Sequence, residues 1–480
     1  MTAFILMLIV FVLGYLAIAL EGPIKIDKAA SALLLGVIIW VVYIFGLPDI
    51  LNLGFSPSWG HFLKSSDLVN LKHKYEGISL LAQMKYFVTD HEVISHLGNL
   101  SEILFFLLGA MTIVETVDQH EGFRVITDRI RTTSKVKLLW TVAIITFFLS
   151  GVLDNMTTTI VMIALLRKLI DDKKSRWFFA SMIVIAANAG GAFTPIGDVT
   201  TIMLWIGGQV TALDIMGMVF LPSVVSLIIP LAVVSIYMKG HVEKPDAAKS
   251  DSFHTKPGER MLMLILGIGG LIFVPVFKEL TDLPPYMGML FSLGVIWVAT
   301  EFIHKNGTSE DRRKFTVMGI LKRVDIPTIL FYLGILSAVA ALESAGHLQL
   351  MADYFDKHMH NIYLINGAIG LLSSIVDNVP LTAAAMGMYP IMTHALVAAS
   401  SDQAFVRHFV QNGAFWELLA FAAGTGGSIL IIGSAAGIVA MALEKIDFIW
   451  YMKKIAWLAL LGYIAGIATY YVQNEFIFHH

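Results

Sequence analysis

Long apolar segments recur along the whole chain, and short polar segments separate them. A helix needs about 20 mainly apolar residues to cross a hydrocarbon core that is about 30 Å thick. The pattern therefore predicts an all-α polytopic membrane protein. Its uninterrupted spans are predicted at residues 1–20, 29–46, 98–117, 214–238, 261–277, 285–304, 326–343 and 453–472. The polar stretch from residue 50 to residue 97 is expected to hold a surface amphipathic helix.

Basic residues stand on both sides of the apolar segment 139–166, and such residues concentrate in cytoplasmic loops. Each arm of a hairpin in this segment would have about 14 residues and reach about 21 Å, which is too short to span. We therefore expect a re-entrant hairpin that turns between Ser150 and Asn155. A single long tilted helix is the alternative, and it would put the basic residues on opposite sides. These residues are Arg124, Arg129, Arg131, Lys135 and Lys137 before the segment, and Arg167, Lys168, Lys173, Lys174 and Arg176 after it.

The next apolar segment, 178–212, contains residues that disfavour a continuous helix. From Asn188 to Asp198 the sequence reads Asn-Ala-Gly-Gly-Ala-Phe-Thr-Pro-Ile-Gly-Asp. Glycine leaves the backbone free, and proline lacks the N–H that a helix needs. Unwound backbone at membrane depth is tolerated only inside protein or beside a water-filled cavity. We predict an interrupted helix at 178–212, a second hairpin at 362–396 and a second interrupted helix at 412–444.

The two halves of the chain repeat each other. The motif from Ser150 to Thr159 recurs from Ser373 to Thr382, and the glycines 190, 191 and 197 recur at 426, 427 and 433. Each half is predicted to make five crossings, one of them interrupted, and to hold one hairpin. Because the number of crossings is odd, the second half is inverted, an arrangement typical of secondary transporters. The predicted domains are a first inverted repeat at 1–238, a cytoplasmic linker at 239–259 and a second inverted repeat at 260–480.

Composition agrees with a membrane protein and narrows its chemistry. Hydrophobic residues make up 57% of the chain and charged residues 14%, whereas a soluble domain has about 25% charged residues. The net charge of −3 shows no basic excess that would favour nucleic acid as a partner. The sequence has no cysteine and no nucleotide loop or nucleophile and base set, so we expect neither an enzyme nor a cofactor.

The polar residues inside these apolar segments indicate a path for a cation. Ionisable groups at membrane depth are costly, and they usually line a cavity or form pairs. The segments 139–166, 178–212 and 362–396 contain no Arg or Lys, which an anionic substrate would usually need. Hard cations prefer oxygen ligands. The oxygen-bearing residues are Asp154, Asn155, Thr157 or Thr158, Thr194, Asp198, Thr200, Thr201, Asp377 and Asn378.

A buried carboxylate binds a proton or a cation at the same oxygen, but not both. Competition for Asp154, and for Asp198 or Asp377, would couple cation movement in one direction to proton movement in the other. We expect the site to be weighted toward the first half, because Ser434 stands where the first half has Asp198. The structural alternative for each of the three carboxylates is a helix cap.

These motifs resemble the NhaD-type sodium/proton antiporters of the ion transporter superfamily. The resemblance rests on the hairpin motif Ser-Gly-Val-Leu-Asp-Asn-Met-Thr-Thr-Thr, on the break from Asn188 to Thr201, and on Val-Asp-Asn-Val-Pro and Gly-Thr-Gly-Gly-Ser in the second half. It covers almost the whole chain. Carboxylate carriers of the superfamily resemble one another in having Ser-Asn-Thr at the hairpin tips, whereas both tips here have Asp first. This difference favours antiport of a cation over symport of an anion.

The resemblance implies the superfamily fold, exchange of Na⁺ or Li⁺ for H⁺, a multi-pass protein of the bacterial inner membrane, and a homodimer. Asp154, Asn155 and Asp198 are then the expected metal-ion ligands, and Glu102, His91 and His96 are candidates for proton relay or pH sensing. The wider expected cation and proton site is Asp154, Asn155, Thr157, Asn188, Thr194, Asp198, Thr200, Thr201, Asp377, Asn378, Ser428 and Ser434. A sodium-coupled carboxylate symporter on the same fold remains the main alternative, and an ion channel is a second one.

Overall fold

The computed structural model describes residues 1–74, 77–127, 130, 132–242, 255–305, 307–308 and 314–478. The chain is 79% helical, and the residues so described contain no strand. The all-α polytopic prediction is therefore confirmed. Arg129 and Arg131, together with most of the predicted linker 239–259, lie outside the described residues.

Eight helices of the described chain are long and apolar enough to cross a membrane, and each overlaps one of the eight predicted uninterrupted spans. They are Thr2–Ala19, Lys28–Phe45, Leu80–Gln119, Ala212–Tyr237, Pro257–Thr281, Pro285–Ile303, Ile326–Ala345 and Ala456–Ile477. Leu80–Gln119 includes a π-helical turn at Phe87–Glu92. The prediction that this span begins at residue 98 is wrong, because the helix continues back through His91, Glu92 and His96. Their polarity lowers the local hydropathy, but their side chains pair with one another.

Short helices connect the spans. Ser66–Lys74 is the amphipathic surface helix expected between residues 50 and 97, since Leu68 and Leu71 are buried and most of its other residues are exposed. The other short helices are Glu21–Ile24, Leu47–Leu51, Pro57–Phe62, Arg124–Thr127, Val317–Ile320, His347–His358, His394–Ala399, Gln403–Val406, Arg407–Phe409 and Phe448–Lys454.

The predicted hairpins and interrupted helices are each broken where the sequence suggests. The first hairpin is Lys135–Ser150 and Asn155–Leu169, and the first interrupted helix is Lys173–Ala192 and Val199–Ile206. The second hairpin is Ile362–Leu372 and Asn378–Met388, and the second interrupted helix is Ala414–Gly426 and Ala435–Glu444. Residues 139–166 therefore do not form the one continuous helix that was the alternative. Re-entry into the membrane stays a prediction.

The chain forms two compact units. The first unit contains residues 1–104, 325–361 and 383–390, and the second unit contains residues 105–324, 362–382 and 391–480. Each predicted repeat contributes residues to both units, and the division at 1–238 and 260–480 stays a prediction. In the first unit, Lys28–Phe45 packs against Ile326–Ala345, and a Cβ on Gly36 would stand 2.6 Å from the Gly334 carbonyl oxygen. The two backbones can approach this closely only because both positions are glycine.

In the second unit, each hairpin packs on an interrupted helix through the same contacts. Ser150 Oγ donates to the Ala187 carbonyl at 2.6 Å, and Ser373 Oγ donates to the Ala423 carbonyl at 2.8 Å. Next to these bonds the helices touch at glycine. A Cβ on Gly190 would lie 2.1 Å from the Phe147 oxygen, and a Cβ on Gly426 would lie 2.0 Å from the Gly370 oxygen. This close approach holds the tip of each hairpin against the break of the interrupted helix on which that hairpin packs.

An ion-pair cluster joins three of these elements at their ends. The Glu444 side chain is buried, and its two oxygens accept from Arg167 Nε at 2.7 Å and from Arg176 Nε at 3.0 Å. Trp177 Nε1 donates to the Glu444 carbonyl at 2.9 Å. Arg167 belongs to the first hairpin and Arg176 to the first interrupted helix, so the cluster fastens both to the end of the second interrupted helix.

Candidate functional site

The second arm of each hairpin begins at an aspartate that caps it. Asp154 accepts a hydrogen bond from the backbone N–H of Thr157 at 2.8 Å, and Asp377 accepts one from the N–H of Val379 at 3.1 Å. Free N–H groups at a helix start favour such acceptors. The cap interpretation and the ion interpretation are compatible here, because a capping carboxylate keeps its negative charge and further lone pairs.

Asp198 caps the second segment of the first interrupted helix. Its Oδ1 accepts from the N–H of Thr200 at 3.2 Å, and Thr201 Oγ1 closes a capping box by accepting from the Asp198 N–H at 3.3 Å. The proline and glycines before it unwind the chain from Phe193 to Asp198. The break therefore places the Asp198 carboxylate in the interior of the second unit, where Asp198 is only 2% exposed.

The tips of both hairpins reach this carboxylate through asparagine. Asn155 Nδ2 donates to Asp198 Oδ2 at 2.8 Å, and Asn378 Nδ2 donates to Oδ2 at 3.2 Å and to Oδ1 at 3.3 Å. Asn155 also donates to Asn188 Oδ1 at 3.1 Å. Asp198 is therefore the point at which the two copies of the Asp-Asn motif meet.

Asn188 extends the network to the second interrupted helix. Its Nδ2 donates to Ser428 Oγ at 2.8 Å and to Ser434 Oγ at 2.9 Å. Ser434 caps the following segment by accepting from the N–H of Gly437 at 3.2 Å. Because all of these side chains are buried, the network is a closed polar interior rather than a hydrated surface. Its members are Asn155, Asn188, Asp198, Asn378, Ser428 and Ser434.

One repeat position beside Asp198 has a polar side chain in the first half and none in the second. Gly424 occupies the place in the second half that Asn188 occupies in the first, at the offset that relates Gly426 to Gly190. A Cβ on Gly424 would lie 3.7 Å from Asp198 Oδ2. The same Cβ would lie 3.3 Å from Ala192 Cβ, so only a residue without a side chain fits here without a close contact. Thr158 Oγ1 and Thr200 Oγ1 are buried and make no hydrogen bond within the described chain.

The charges around the network are negative. Asp154 and Asp377 lie close enough to Asp198 for their charges to interact. The four segments that build the network, 139–166, 178–212, 362–396 and 412–444, contain no Arg or Lys in their sequence. A buried carboxylate with two further carboxylates beside it, in segments that contain no Arg or Lys, attracts cations, since an uncompensated charge at low dielectric is costly.

The structure joins some predicted residues in the network and places others around it. The backbone N–H of Thr157 donates to the Asp154 carboxylate. Thr194 Oγ1 donates to the Gly151 carbonyl at 2.6 Å and so stabilises the hairpin turn. Thr200 and Thr201 belong to the cap of Asp198. The correspondence of Gly424 with Asn188 was not predicted, although alignment of the two halves shows it.

The relay candidates Glu102, His91 and His96 belong to the first unit. There, Glu92 lies between the two histidines, 3.3 Å from His91 Nδ1 and 3.6 Å from His96 Nε2. The sequence does not single out Glu92, because this residue stands in a polar stretch whose low hydropathy predicts a connection. Its burial shows that this stretch is part of the helix packing.

Comparisons with known proteins give a consistent set of relatives. A family model described as a citrate transporter matches residues 1–406. Sodium/proton antiporter 1 of Arabidopsis thaliana is 44% identical over 472 residues, which cover 98% of this chain and 73% of the relative. Sodium/proton antiporter 2 of the same plant is 40% identical, with 98% of this chain and 100% of the relative covered. The Na⁺/H⁺ antiporter NhaD of Alkalimonas amylolytica is 29% identical, with 82% and 81% covered.

Proposed function

Since this chain belongs to the NhaD-type sodium/proton antiporter family, we propose that it exchanges Na⁺ or Li⁺ for H⁺ across a membrane, with Asp198 as the shared binding group. The observation that carries the proposal is the meeting of both Asp-Asn motifs at this one buried carboxylate. Membership in the family supports the exchange, and the hydrogen-bond network supports the position of the site.

The asparagines suit a site that is alternately filled and emptied. A carboxamide presents an NH₂ donor on one side and a carbonyl oxygen on the other. Without a cation, Asn155 and Asn378 donate to Asp198 and satisfy its charge. When a cation lies at Asp198, a half-turn of either amide replaces the donor with an oxygen ligand. The Thr200 hydroxyl lies in the cap of Asp198, makes no hydrogen bond within the described chain and offers a further oxygen ligand.

Exchange follows from competition at the carboxylate. A proton on Asp198 removes the charge that holds Na⁺, and Na⁺ at the same oxygens disfavours the proton. If the loaded states alone cross between the two membrane faces, each cation that leaves is replaced by protons. The movement requires no cofactor. Asp154 and Asp377 add negative charge beside the site and strengthen the preference for a cation.

The location and assembly are part of the proposal. We place the protein in the inner membrane of a bacterium as a multi-pass homodimer. Bacterial relatives named NhaD support the first point, and the family resemblance supports the second. The eight apolar helices indicate a multi-pass membrane protein, whichever organism or membrane it belongs to.

A sodium-coupled carboxylate symporter is the second candidate, because the citrate transporter family model matches residues 1–406. Such a carrier would need positive charge or free helix N-termini for the substrate carboxylates. The first hairpin and first interrupted helix instead start their inner segments with Asp154 and Asp198. Two carboxylates at these helix starts oppose a second anion, so the antiporter is the better candidate.

The test is a transport assay in proteoliposomes that contain a pH-sensitive dye. We expect Na⁺ or Li⁺ alone to move protons, and K⁺ or citrate to have no effect. If the cations act only when citrate is present, the symporter is correct. Asp154→Asn keeps the cap, since Asn and Asp cap equally well, but removes the charge. Full exchange in that variant would make Asp154 a structural residue and leave Asp198 as the site.

A further inference from the structure

The ends of three membrane-spanning helices bring together a group of side chains that the exchange mechanism does not use. His120 follows the helix that ends at Gln119, His304 follows the helix that ends at Ile303, and Glu259 lies in the first turn of Pro257–Thr281. All three residues belong to the second unit. Their possible ligand atoms lie within 4.8 Å of one another.

The distances between these atoms fit a single small metal ion. His120 Nε2 is 3.1 Å from His304 Nε2, His304 Nε2 is 3.4 Å from Glu259 Oε1, and His120 Nε2 is 3.9 Å from the same oxygen. Two ligands at tetrahedral positions around zinc are about 3.3 Å apart, given bonds of 2.0–2.1 Å. The three separations lie on both sides of that value, so a small shift would make them equal.

A hydrogen bond at Nδ1 favours the tautomer of His120 that can bind a metal ion through Nε2. Its Nδ1 lies 2.7 Å from the Thr116 carbonyl oxygen, and only a protonated Nδ1 can donate there. In the neutral imidazole the lone pair is therefore on Nε2, which faces His304 and Glu259. A carbonyl that accepts from the second ring nitrogen is the usual support of a metal-bound histidine.

The surroundings hold these side chains in place and leave one atom unsatisfied. The Phe315 ring stacks on His304 at 5.1 Å with an interplanar angle of 14° and lies 5.3 Å from the His120 ring. Thr255 Oγ1 donates to the His120 carbonyl at 3.1 Å. Glu259 Oε1 is buried and makes no hydrogen bond within the described chain. A buried carboxylate oxygen that faces two imidazoles and makes no hydrogen bond is well placed to bind a cation.

We propose that His120, Glu259 and His304 bind one Zn²⁺, or a divalent ion of the same class, at the ends of the three helices. Two imidazoles and a carboxylate are ligands that zinc accepts, and water takes the fourth position. Sodium prefers a shell of oxygens, so the transported ion does not compete well here. The ion fastens the helix ending at Gln119 to Pro257–Thr281 and Pro285–Ile303. This role is independent of the cation exchange proposed at Asp198.

The first experiment is titration of the full-length protein, purified in detergent through a tag without histidine and stripped with a chelator. We expect one Zn²⁺ to bind per chain, the thermal midpoint to rise until one equivalent is added, and Co²⁺ to give the visible absorption of a tetrahedral site. Na⁺ at the same charge concentration leaves both readouts unchanged. Failure to bind stoichiometric Zn²⁺ would mean that the three side chains form a histidine–histidine hydrogen bond only.

Variants separate this site from other histidines. His304→Gln is expected to weaken Zn²⁺ affinity by more than about 100-fold, above the loss that an outer-shell partner causes. His358→Gln changes an exposed histidine in the same way and leaves the affinity unchanged. His479→Gln with His480→Gln removes the histidine pair at the C-terminus and also has no effect. Equal affinity in His304→Gln and in the wild-type chain would overturn the proposal.

A second variant protects the test if His304→Gln does not fold. Glu259→Gln keeps the size of the side chain and removes its charge. We expect weaker Zn²⁺ binding and a shifted Co²⁺ spectrum, because one of three ligands has changed. An unchanged Co²⁺ spectrum in Glu259→Gln would exclude this residue and the site as drawn. Sodium-driven proton exchange, measured in parallel, reports on Asp198 separately.

Discussion

The two interrupted helices resume after their breaks with almost the same backbone and with different charge. Asp198 has φ −146° and ψ 149°, and Ser434 has φ −143° and ψ 153°. Each side chain caps the segment that follows. Serine and aspartate cap helices about equally well, so the fold does not need a carboxylate at either position. The negative charge at Asp198 is therefore a feature of the first half that capping does not explain.

The same comparison separates structure from chemistry at the neighbouring positions. Ser150 and Ser373 make equivalent bonds, and Gly190 and Gly426 allow equivalent contacts. Where the halves differ, polar groups cluster on one side, as Asn188 corresponds to Gly424. The matched positions build the scaffold of the second unit, and the unmatched positions build the proposed cation site.

The largest expected effect comes from making the first half like the second. Asp198→Ser keeps a capping oxygen and removes the charge. We expect sodium-driven proton movement in proteoliposomes to fall to the level of empty vesicles. The thermal midpoint should change little, because the cap remains. Normal exchange by a folded Asp198→Ser protein would show that the carboxylate is not the shared binding group.

The ion-pair cluster of Glu444 is another point at which the halves differ, since Gly208 stands at the equivalent position of the first half. Replacing both Arg167 and Arg176 by Gln leaves the buried Glu444 carboxylate unpaired. Loss of the partners of a buried charge costs about 3–5 kcal/mol. We expect a marked fall in the thermal midpoint of the detergent-solubilised protein.

The matched control for the cluster is replacement of Lys173 and Lys174 by Gln. It removes the same positive charge from two exposed positions close by in the chain. Its expected effect on the midpoint is small, because exposed charges contribute little to stability. Equal losses in the two double variants would mean that the effect comes from net charge and not from Glu444.

The glycine contacts predict equal effects in the two halves. Gly190→Ala and Gly426→Ala would each bring a Cβ to about 2 Å from a carbonyl oxygen, far inside contact distance. Such overpacking typically costs about 1–3 kcal/mol. Gly217→Ala is the control, because nothing lies within 4 Å of its added Cβ. A loss in only one of the paired variants would break the structural equivalence of the halves.

The smallest effect is expected at Ser434. Ser434→Ala removes a cap and one acceptor of Asn188, for a loss of about 1 kcal/mol. We expect exchange to continue with a modestly altered Na⁺ dependence, in contrast to Asp198→Ser. Complete loss of exchange in a folded Ser434→Ala protein would place the essential chemistry in the second half instead.

Local patterns allowed much of this arrangement to be predicted. The apolar runs identify the spans because lipid demands them, and glycine and proline identify the breaks because a helix excludes them. The Asp-Asn motifs and Asp198 stand out because polar residues are rare in such segments. The meeting of Asn155 and Asn378 on one carboxylate was not predicted, because hydropathy and spacing do not show which side chains come together.

The features that were missed depend on residues far apart in the chain. Glu444 pairs with Arg167 across 277 positions, and His120 faces His304 across 184. Hydropathy and spacing carry no information on such contacts. The predicted span 98–117 is shorter than the helix from Leu80 for a related reason. The polarity of Glu92 suggests a loop, whereas its contacts with His91 and His96 allow it to be buried in a helix.

The most direct test of the account is the pH dependence of Na⁺ binding to the purified protein, measured by calorimetry for the wild-type chain and for Asp198→Ser. Competition for one carboxylate predicts that the apparent Kd of the wild-type chain rises about tenfold for each pH unit of acidification below the pKa of the site. Na⁺ binding should be lost from Asp198→Ser at every pH. A Kd that does not change with pH, or Na⁺ binding that survives in Asp198→Ser, would contradict the claim that Na⁺ and H⁺ share Asp198.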